Sequence, residues 1–201
     1  MNNEETAGGY DAHVEIAKAA IRAYVEKGEK LTIRGGGIFN RKGVPADMPD
    51  CRLKPLLETK AGVFVSIKKL GELRGCIGTI APVTNNIAEE ILSNAISACS
   101  RDPRFDPVEP EELCDLSVSV DVLSEAEPIA SKADLDIVRY GVIVSRGYRR
   151  GLLLPNLEGV DSVDYQLRIA LSKAGISPSE PFDMERFEVV RHDIGGYMGS
   201  A

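Results

Sequence analysis

Three stretches of the chain carry hydrophobic residues at the spacing of an amphipathic helix. The first is predicted to begin after Asp11, whose side chain can cap it, and to end before Gly28. The second is predicted to begin at Thr84 and to reach about Ser100, and the third to end at Gly175. Their apolar stripes are Ala17, Ala20, Ile21, Tyr24 and Val25; Ile87, Ile91, Ala95 and Cys99; and Val163, Leu167, Ala170, Leu171 and Ala174.

Alternating apolar and polar residues predict strands between these helices. Residues 61–68 and 73–80 are expected to pair as a hairpin around a short turn. Further strands are predicted at 116–122, in a second hairpin over 140–155, and at 187–192. Hairpins rather than repeated strand–helix–strand units indicate an α+β fold, with a mostly antiparallel sheet and about three main helices.

Residues 34–55 are dense in glycine and proline and predict a long connection. Three consecutive glycines lie near Arg34, Arg41 and Lys42, a combination that can cradle a phosphate. The segment lacks the glycine spacing of nucleotide-binding loops, and no clear strand-to-helix turn surrounds it. We therefore expect a flexible loop.

The composition limits the classes of partner. The chain has 201 residues, a net charge of −7 and 5% aromatic residues without tryptophan. A negative net charge and few stacking side chains argue against nucleic-acid binding. No segment approaches the roughly 18 uninterrupted apolar residues of a membrane span, so we expect no membrane association.

The four cysteines, Cys51, Cys76, Cys99 and Cys114, form no CxxC pair. His13 and His192 are the only histidines, and no zinc-site spacing joins them to the cysteines, so no metal site is predicted. The first residues have neither a basic start nor an apolar run, which argues against a signal peptide. We expect reduced thiols and a cytoplasmic location.

The sequence Arg74-Gly75-Cys76 is the most suggestive chemical feature. Alternation along its strand places Arg74, Cys76 and Gly78 on one face. A guanidinium beside a thiol favours the thiolate, which is the nucleophilic form. Free cysteines are nevertheless often buried as small hydrophobic residues, and on spacing alone this structural reading is favoured for Cys76 and still more for Cys99.

Other charged residues have either a binding role or a structural role as alternative hypotheses. Asp102, Arg104 and Asp106 can bind a polar substrate or brace the loop after a helix, and bracing is the commoner role. Arginines at the tip of the second hairpin can bind phosphate or an acidic partner surface, or can serve solubility alone. Neither histidine lies in a recognisable nucleophile motif. The two groups of like charge are Arg146, Arg149 and Arg150 at that tip, and Glu109, Glu111 and Glu112, which we interpret as a solvated acidic face.

The stretch LRGCIGTI at residues 73–80 resembles the AMMECR domain family. The resemblance continues through DPRF at 102–105, YGVIVSRGYRRGLLLPNLEGVD at 140–161 and KAGI at 173–176, and it covers about residues 12 to 192. PNLEGVD and FEVVRH are most similar to the prokaryotic branch called AmmeMemoRadiSam system protein A. That branch is named for its grouping with a Memo-like protein and a radical-SAM protein.

This resemblance implies a single domain over 12–192, flanked by flexible ends at 1–11 and 193–201. It implies two unequal, closely packed lobes around a mostly antiparallel sheet, with the 73–80 strand in or beside a cleft. It implies a cytoplasmic protein that acts with the two partners, and it implies no reaction. The motif residues that it points to as candidate substrate- or partner-binding positions are Arg74, Gly75, Cys76, Gly78, Asp102, Arg104, Phe105 and Lys173.

Three hypotheses follow from the sequence. The leading one, from the resemblance, is an auxiliary component of a radical-SAM and Memo-like protein modification system, without a cofactor of its own. The radical chemistry is assigned to the partner, because this chain lacks a CxxxCxxC triad for an iron–sulfur cluster. The second is an enzyme that uses Cys76 as a thiolate activated by Arg74, with Asp102 or Arg104 orienting the substrate. The third is a non-catalytic scaffold in which Arg74 and Asp102 form a buried brace.

Overall fold

The computed structural model describes residues 10–40, 42 and 53–199. Contacts divide the chain into two unequal compact units, one formed by Met1–Val122 with Arg191–Ala201 and the other by Leu123–Val190. The helices are α1 (Ala12–Lys27), α2 (Lys54–Glu58), α3 (Ile87–Ser100) and α4 (Val163–Ala174). The strands are β1 (Thr32–Arg34), β2 (Gly37–Phe39), β3 (Val63–Lys69), β4 (Glu72–Gly78), β5 (Leu116–Leu123), β6 (Glu127–Ile129), β7 (Gly141–Arg146), β8 (Arg149–Leu153), β9 (Asp183–Phe187) and β10 (Val189–His192).

The three long helices confirm the predicted segments, with one corrected boundary. Asp11 caps α1 by accepting backbone N–H groups, and Gly28 ends it in the left-handed conformation. The predicted start of α3 at Thr84 is wrong, because Asn86 is the residue that caps this helix. The Thr84 hydroxyl donates instead to the carboxylate of Glu90 at 2.7 Å.

In the first unit, helices cover one face of a four-stranded sheet whose order is β10-β5-β3-β4. The β3–β4 and β3–β5 pairs are antiparallel, which confirms the predicted first hairpin. Apolar residues of alternate strand positions, such as Val65 and Ile67, are fully buried in a core that α3 covers and that α1 extends by packing on α3. Burial of each such side chain contributes roughly 1.5–3 kcal/mol, so this face is the main source of the unit's stability.

The glycine run forms a tight turn rather than the start of a flexible loop. β1 and β2 pair as an antiparallel hairpin, and Gly35 and Gly36 at its tip both have positive φ angles. Glycine adopts this conformation without a steric cost, which explains its use at a two-residue hairpin turn. The prediction of a connection from residue 34 is therefore wrong at its start. The rest of that prediction lies largely outside the described residues, as do Arg41 and Cys51.

The second unit packs α4 on a four-stranded sheet of order β6-β9-β7-β8. The predicted second hairpin is confirmed as β7 and β8. The predicted single strand at 187–192 is wrong: Glu188 separates β9 from β10, and the two strands belong to different sheets. An unbroken run of strand-forming residues hides such a change of sheet, because both segments are extended.

The described part of the carboxyl-terminal segment is tied to the first unit. Met198 is 4% exposed, and its N–H donates to the Leu116 carbonyl at 2.7 Å. Of the amino-terminal segment 1–11 that is predicted to be flexible, residues 1–9 lie outside the described residues. Among the described helices, none combines the length and the apolar character that crossing a bilayer requires.

Candidate functional site

The sheet of the first unit has a polar face on the side opposite the buried valines and isoleucines. Cα pairing places Cys76, Ser66 and Ser119 in one row across β4, β3 and β5. The Ser66 hydroxyl donates to the Cys76 Sγ at 3.4 Å. Phe64 and Asp121 form the neighbouring row. These five residues are called the polar face below, and the row around Cys76 is partly exposed.

Asp102 and Arg104 occupy the free edge of β4 at Cys76. The Asp102 carboxylate accepts the Cys76 N–H at 2.8 Å, and the Arg104 Nη2 donates to the Cys76 carbonyl at 3.2 Å. The two side chains also pair with each other through hydrogen bonds of 2.9 and 2.7 Å. The pair therefore satisfies backbone groups that a further strand would otherwise bond.

The exposed member of this pair is Arg104. Its side chain is 54% exposed, whereas that of Asp102 is 2% exposed. Hydrogen bonds from Arg104 hold the pKa of Asp102 well below its usual range. The Arg104 guanidinium carbon lies 5.5 Å from the centroid of the Phe105 ring, which supports it from one side. Asp102 thus acts as the brace that the sequence favoured, and it holds Arg104 at the end of the Cys76 row.

A second aspartate–arginine pair lies on the other side of the polar face. The Arg191 Nε and Nη2 atoms donate to the Asp121 carboxylate at 2.8 and 3.0 Å. The Asp121 side chain is 2% exposed and that of Arg191 is 50% exposed. The pKa values of Arg104 and Arg191 are raised, chiefly by their aspartates and additionally by the neighbouring Cys76 side chain. Two guanidinium groups are therefore fixed by buried aspartates, one on each side of the polar face.

Arg74 pairs with Glu112, in the segment between α3 and β5, instead of with the cysteine. Leu73 pairs with Lys68 and Gly75 with Ile67, so Arg74 is an extra residue that forms a bulge. Its guanidinium donates to Glu112 at 3.0 and 2.9 Å and to the carbonyl of Asp106 at 2.8 Å. This bulge interrupts the alternation from which the sequence predicted a shared face for Arg74 and Cys76.

Two predictions about charged residues are corrected by this pairing. The predicted brace between Arg74 and Asp102 is wrong, because each has a different partner. Glu112 does not belong to a solvated acidic face, since its side chain is only 16% exposed. Hydrogen bonds from Arg74 lower the pKa of Glu112 from 4.5 to about 2.

The motif glycines have packing roles. A Cβ at Gly75 would collide with the main-chain carbonyl oxygen of Ala98, so α3 crosses directly over this position. A Cβ at Gly78 would collide with the ring of Phe64, which lies over it. Glycine is required here by close approach, with α3 at Gly75 and with the polar face at Gly78.

A buried carboxylate that the sequence analysis missed fixes the segment after β4. Glu90 of α3 is fully buried and accepts the Thr79 hydroxyl at 2.6 Å and the N–H groups of Val83 and Thr84 at 3.0 and 2.9 Å. The apolar stripe of α3 gave no sign of this role. The available sequence signal for a buried Glu90 was the pair of hydroxyl-bearing residues Thr84 and Thr79, six and eleven positions before it.

The remaining candidates lie in the second unit, which is described by itself. Lys173 of α4 is exposed and its Nζ donates to the Leu152 carbonyl at 3.4 Å. The arginines of the hairpin tip, proposed as a phosphate site, pair with Glu180 and Glu185. These pairings favour a structural role for the three arginines over phosphate binding.

Three residues of the first unit form a cluster that can hold a metal ion. The Asp11 carboxylate lies 3.0 Å from the Nδ1 of His13 and 2.7 Å from the Nδ1 of His192. Ligand atoms of all three lie within 4.8 Å of one another. The sequence predicted no such site, because His192 is 181 residues from Asp11 and no metal-site spacing joins them.

The described cysteines differ in exposure. Cys99 is 2% exposed, and burial raises its pKa to about 11. Cys114 is exposed and Cys76 is partly exposed. This confirms the structural prediction for Cys99 and leaves Cys76 as the thiol with organised charged neighbours.

Comparisons with known proteins match this chain to relatives from bacteria and archaea. A protein of Clostridium acetobutylicum is 48% identical over 182 residues, which are 90% of this chain and 36% of that protein. A protein of Thermotoga maritima is 54% identical over 140 residues, or 68% of this chain and 80% of its own length. The chain thus spans little more than a third of the Clostridium relative.

The fold also matches a solved structure. The crystal structure of an uncharacterised protein from Pyrococcus horikoshii aligns with a TM-score of 0.73 and 30% identity, covering 89% of this chain and 88% of that one. The family model described as AMMECR1 matches residues 14–192, which include both units. The chain therefore belongs to the AMMECR1 family.

Proposed function

We propose that this chain is a binding component whose polar face holds an anionic group of a substrate or of a partner protein. The observation that carries the proposal is the pair of exposed arginines, Arg104 and Arg191, each fixed by a buried aspartate on one side of the polar face that contains Cys76. An arginine held in place by a buried partner loses little side-chain entropy when it binds a ligand.

The geometry also indicates which atoms meet the ligand. Each aspartate engages the Nε and Nη2 atoms, so the Nη1 edge of each guanidinium is directed away from its aspartate. Ser66 and Ser119 lie in the Cys76 row of the same face. Carboxylate and phosphate groups accept hydrogen bonds from such donors.

The resemblance to AmmeMemoRadiSam system protein A supplies the partners for this proposal. We propose that the chain acts in the cytoplasm with a radical-SAM protein and a Memo-like protein. In this system the radical chemistry belongs to the partner, while this chain presents or receives the molecule that is modified.

The test is association under anaerobic conditions with each of the two proteins from the same genome. We expect the double variant Arg104→Gln, Arg191→Gln to associate about tenfold or more weakly than the wild-type chain, because two charge-assisted hydrogen bonds are lost. The matched control is Arg150→Gln, which removes an exposed arginine of the second unit that also pairs with a carboxylate.

Two outcomes would contradict the proposal. One is a wild-type chain that associates with neither protein. The other is a double variant that associates as strongly as the Arg150→Gln control. Circular dichroism of each variant confirms that a weakened association does not come from unfolding.

A second candidate function is thiolate catalysis at Cys76. The observation in its favour is that the partly exposed Cys76 lies where the fixed Arg104 guanidinium reaches the strand and donates to the Cys76 carbonyl at 3.2 Å. In this candidate Arg104, rather than Arg74, is the cation next to the nucleophile. A Cys76→Ser variant that keeps the association but stops turnover of the bound partner, beside an active Cys114→Ser control, would favour this candidate.

A further inference from the structure

The cluster of Asp11, His13 and His192 brings together the two ends of the described chain. Asp11 lies at the amino-terminal end of α1, His13 lies in its first turn, and His192 is the last residue of β10. The two imidazole rings stack with their centroids 3.5 Å apart and their planes 21° apart. The side chains are 27%, 17% and 18% exposed, so a small ion has access to a site that is mostly shielded.

From this geometry we infer that the cluster is a binding site for a divalent transition-metal ion, held by the Asp11 carboxylate and the Nδ1 atoms of both histidines. It lies on elements that the proposed ligand site does not use, apart from β10, where neighbouring residues Arg191 and His192 project to opposite sides. The inference therefore stands independently of the function proposed above.

The donor set determines the class of metal. Two imidazole nitrogens and one carboxylate oxygen suit zinc, cobalt, nickel, copper or iron rather than magnesium or calcium, which prefer oxygen ligands. Ligand atoms around a tetrahedral zinc ion are about 3.3 Å apart, given bond lengths of about 2.0–2.1 Å. In the hydrogen-bonded cluster the two Nδ1 atoms face different oxygens of Asp11, at 3.0 and 2.7 Å, and the two rings are stacked. Binding one ion therefore requires the rings to turn out of the stack until both Nδ1 lone pairs converge on it, by rotation about a side-chain torsion that is broad for histidine.

Protons balance without a further group. In the hydrogen-bonded cluster each Nδ1 carries the proton that faces Asp11. When the ion binds, each neutral ring moves its proton from Nδ1 to Nε2, so the Nδ1 lone pairs face the metal and no net proton is released. Three protein ligands leave at least one coordination position for water, as in metal sites that remain open to a substrate.

Asp11 remains able to cap α1 when it binds metal. Its Oδ1 accepts the N–H of His13 at 2.8 Å and that of Val14 at 3.4 Å, whereas its Oδ2 contacts only His192 in the contacts described. Oδ2 is therefore the oxygen that binds the metal. The ion would join α1 to β10 in place of the hydrogen bond between His192 and Asp11.

The test is titration of the chain, without an added polyhistidine segment, with Zn²⁺ and Co²⁺. We expect one ion per chain and an affinity about a hundredfold lower in His192→Gln and in His13→Gln, since each removes one of three ligands. Asp11→Asn supplies a variant that keeps a helix-capping oxygen but loses the charge, so it separates metal loss from unfolding of α1.

The Co²⁺ absorption spectrum identifies the ligands. We expect visible bands without a thiolate-to-metal charge-transfer band, and an unchanged spectrum in Cys114→Ser. The inference is overturned if the wild-type chain binds no ion at stoichiometric concentrations. It is also overturned if His192→Gln and Asp11→Asn both bind the ion as tightly as the wild-type chain, or if a thiolate band appears. Any of these results would leave the cluster as a hydrogen-bonded tie only, and none would alter the association expected of Arg104 and Arg191.

Discussion

Replacing Arg74 with alanine is expected to lower the free energy of unfolding by about 3 kcal/mol, because it leaves a shielded carboxylate without its main partner. Arg74 and Glu112 side chains are each only 16% exposed and are joined by two hydrogen bonds. The same substitution frees the main-chain carbonyls of Asp106 and Pro107. Urea denaturation followed by circular dichroism measures the loss.

Lys69→Ala is the matched control for this substitution. Lys69 donates to the same carboxylate at 3.0 Å, but its side chain is 37% exposed. We expect its loss to cost less than about 1 kcal/mol, as for most exposed ion pairs. Equal effects of the two substitutions would show that the forked pair does not brace the loop.

The effect of Arg74→Ala is also expected to depend on pH. Since Arg74 lowers the pKa of Glu112 from 4.5 to about 2, the pair stabilises the fold fully above pH 4.5. That stabilisation is lost as the pH falls towards 2, where Glu112 becomes protonated in the folded protein. The difference between wild type and variant should therefore shrink across this range, and a constant difference would contradict the assigned pairing.

Replacing Gly75 with alanine is expected to cost about 3 kcal/mol, because the added methyl group forces apart two parts of the main chain. The atom it meets is the carbonyl oxygen of Ala98 in α3, which cannot move without shifting the helix. The same denaturation experiment measures the effect, and a lower slope of the transition would indicate a loosened native state.

Gly78→Ala provides the comparison for Gly75→Ala. The added methyl group at Gly78 meets the ring of Phe64, a side chain that can rotate. We expect a loss of about 1 kcal/mol, near the lower end for overpacking. A larger loss at Gly78 than at Gly75 would contradict the close passage of α3 over the motif strand.

Local patterns in the sequence were sufficient to predict the three long helices and the β3–β4 and β7–β8 hairpins. Helix α1 begins after Asp11 and ends before Gly28 as predicted, and alternation over 61–68 and 73–80 identified the β3–β4 hairpin. These features depend on neighbours within a few residues, where helix and strand periods are directly visible. The division of 187–192 between two sheets was missed because extended segments have the same pattern in either sheet.

The candidate site was only partly predictable because its contacts join distant residues. The motif identified Cys76 and the segment with Asp102 and Arg104, but it did not identify their partners. Arg74 meets Glu112 across 38 positions and Arg191 meets Asp121 across 70. Spacing within one strand cannot reveal such pairs, and the bulge at Arg74 removes the regular alternation as well.

Chemical accessibility of Cys76 tests the central claim most directly, because the proposed ligand site requires this row of the polar face to be open. We expect iodoacetamide to alkylate Cys76 in the folded protein while buried Cys99 stays unmodified, with exposed Cys114 as the reference for reagent activity. The account is contradicted if Cys76 remains unmodified until the protein unfolds, as a core cysteine would.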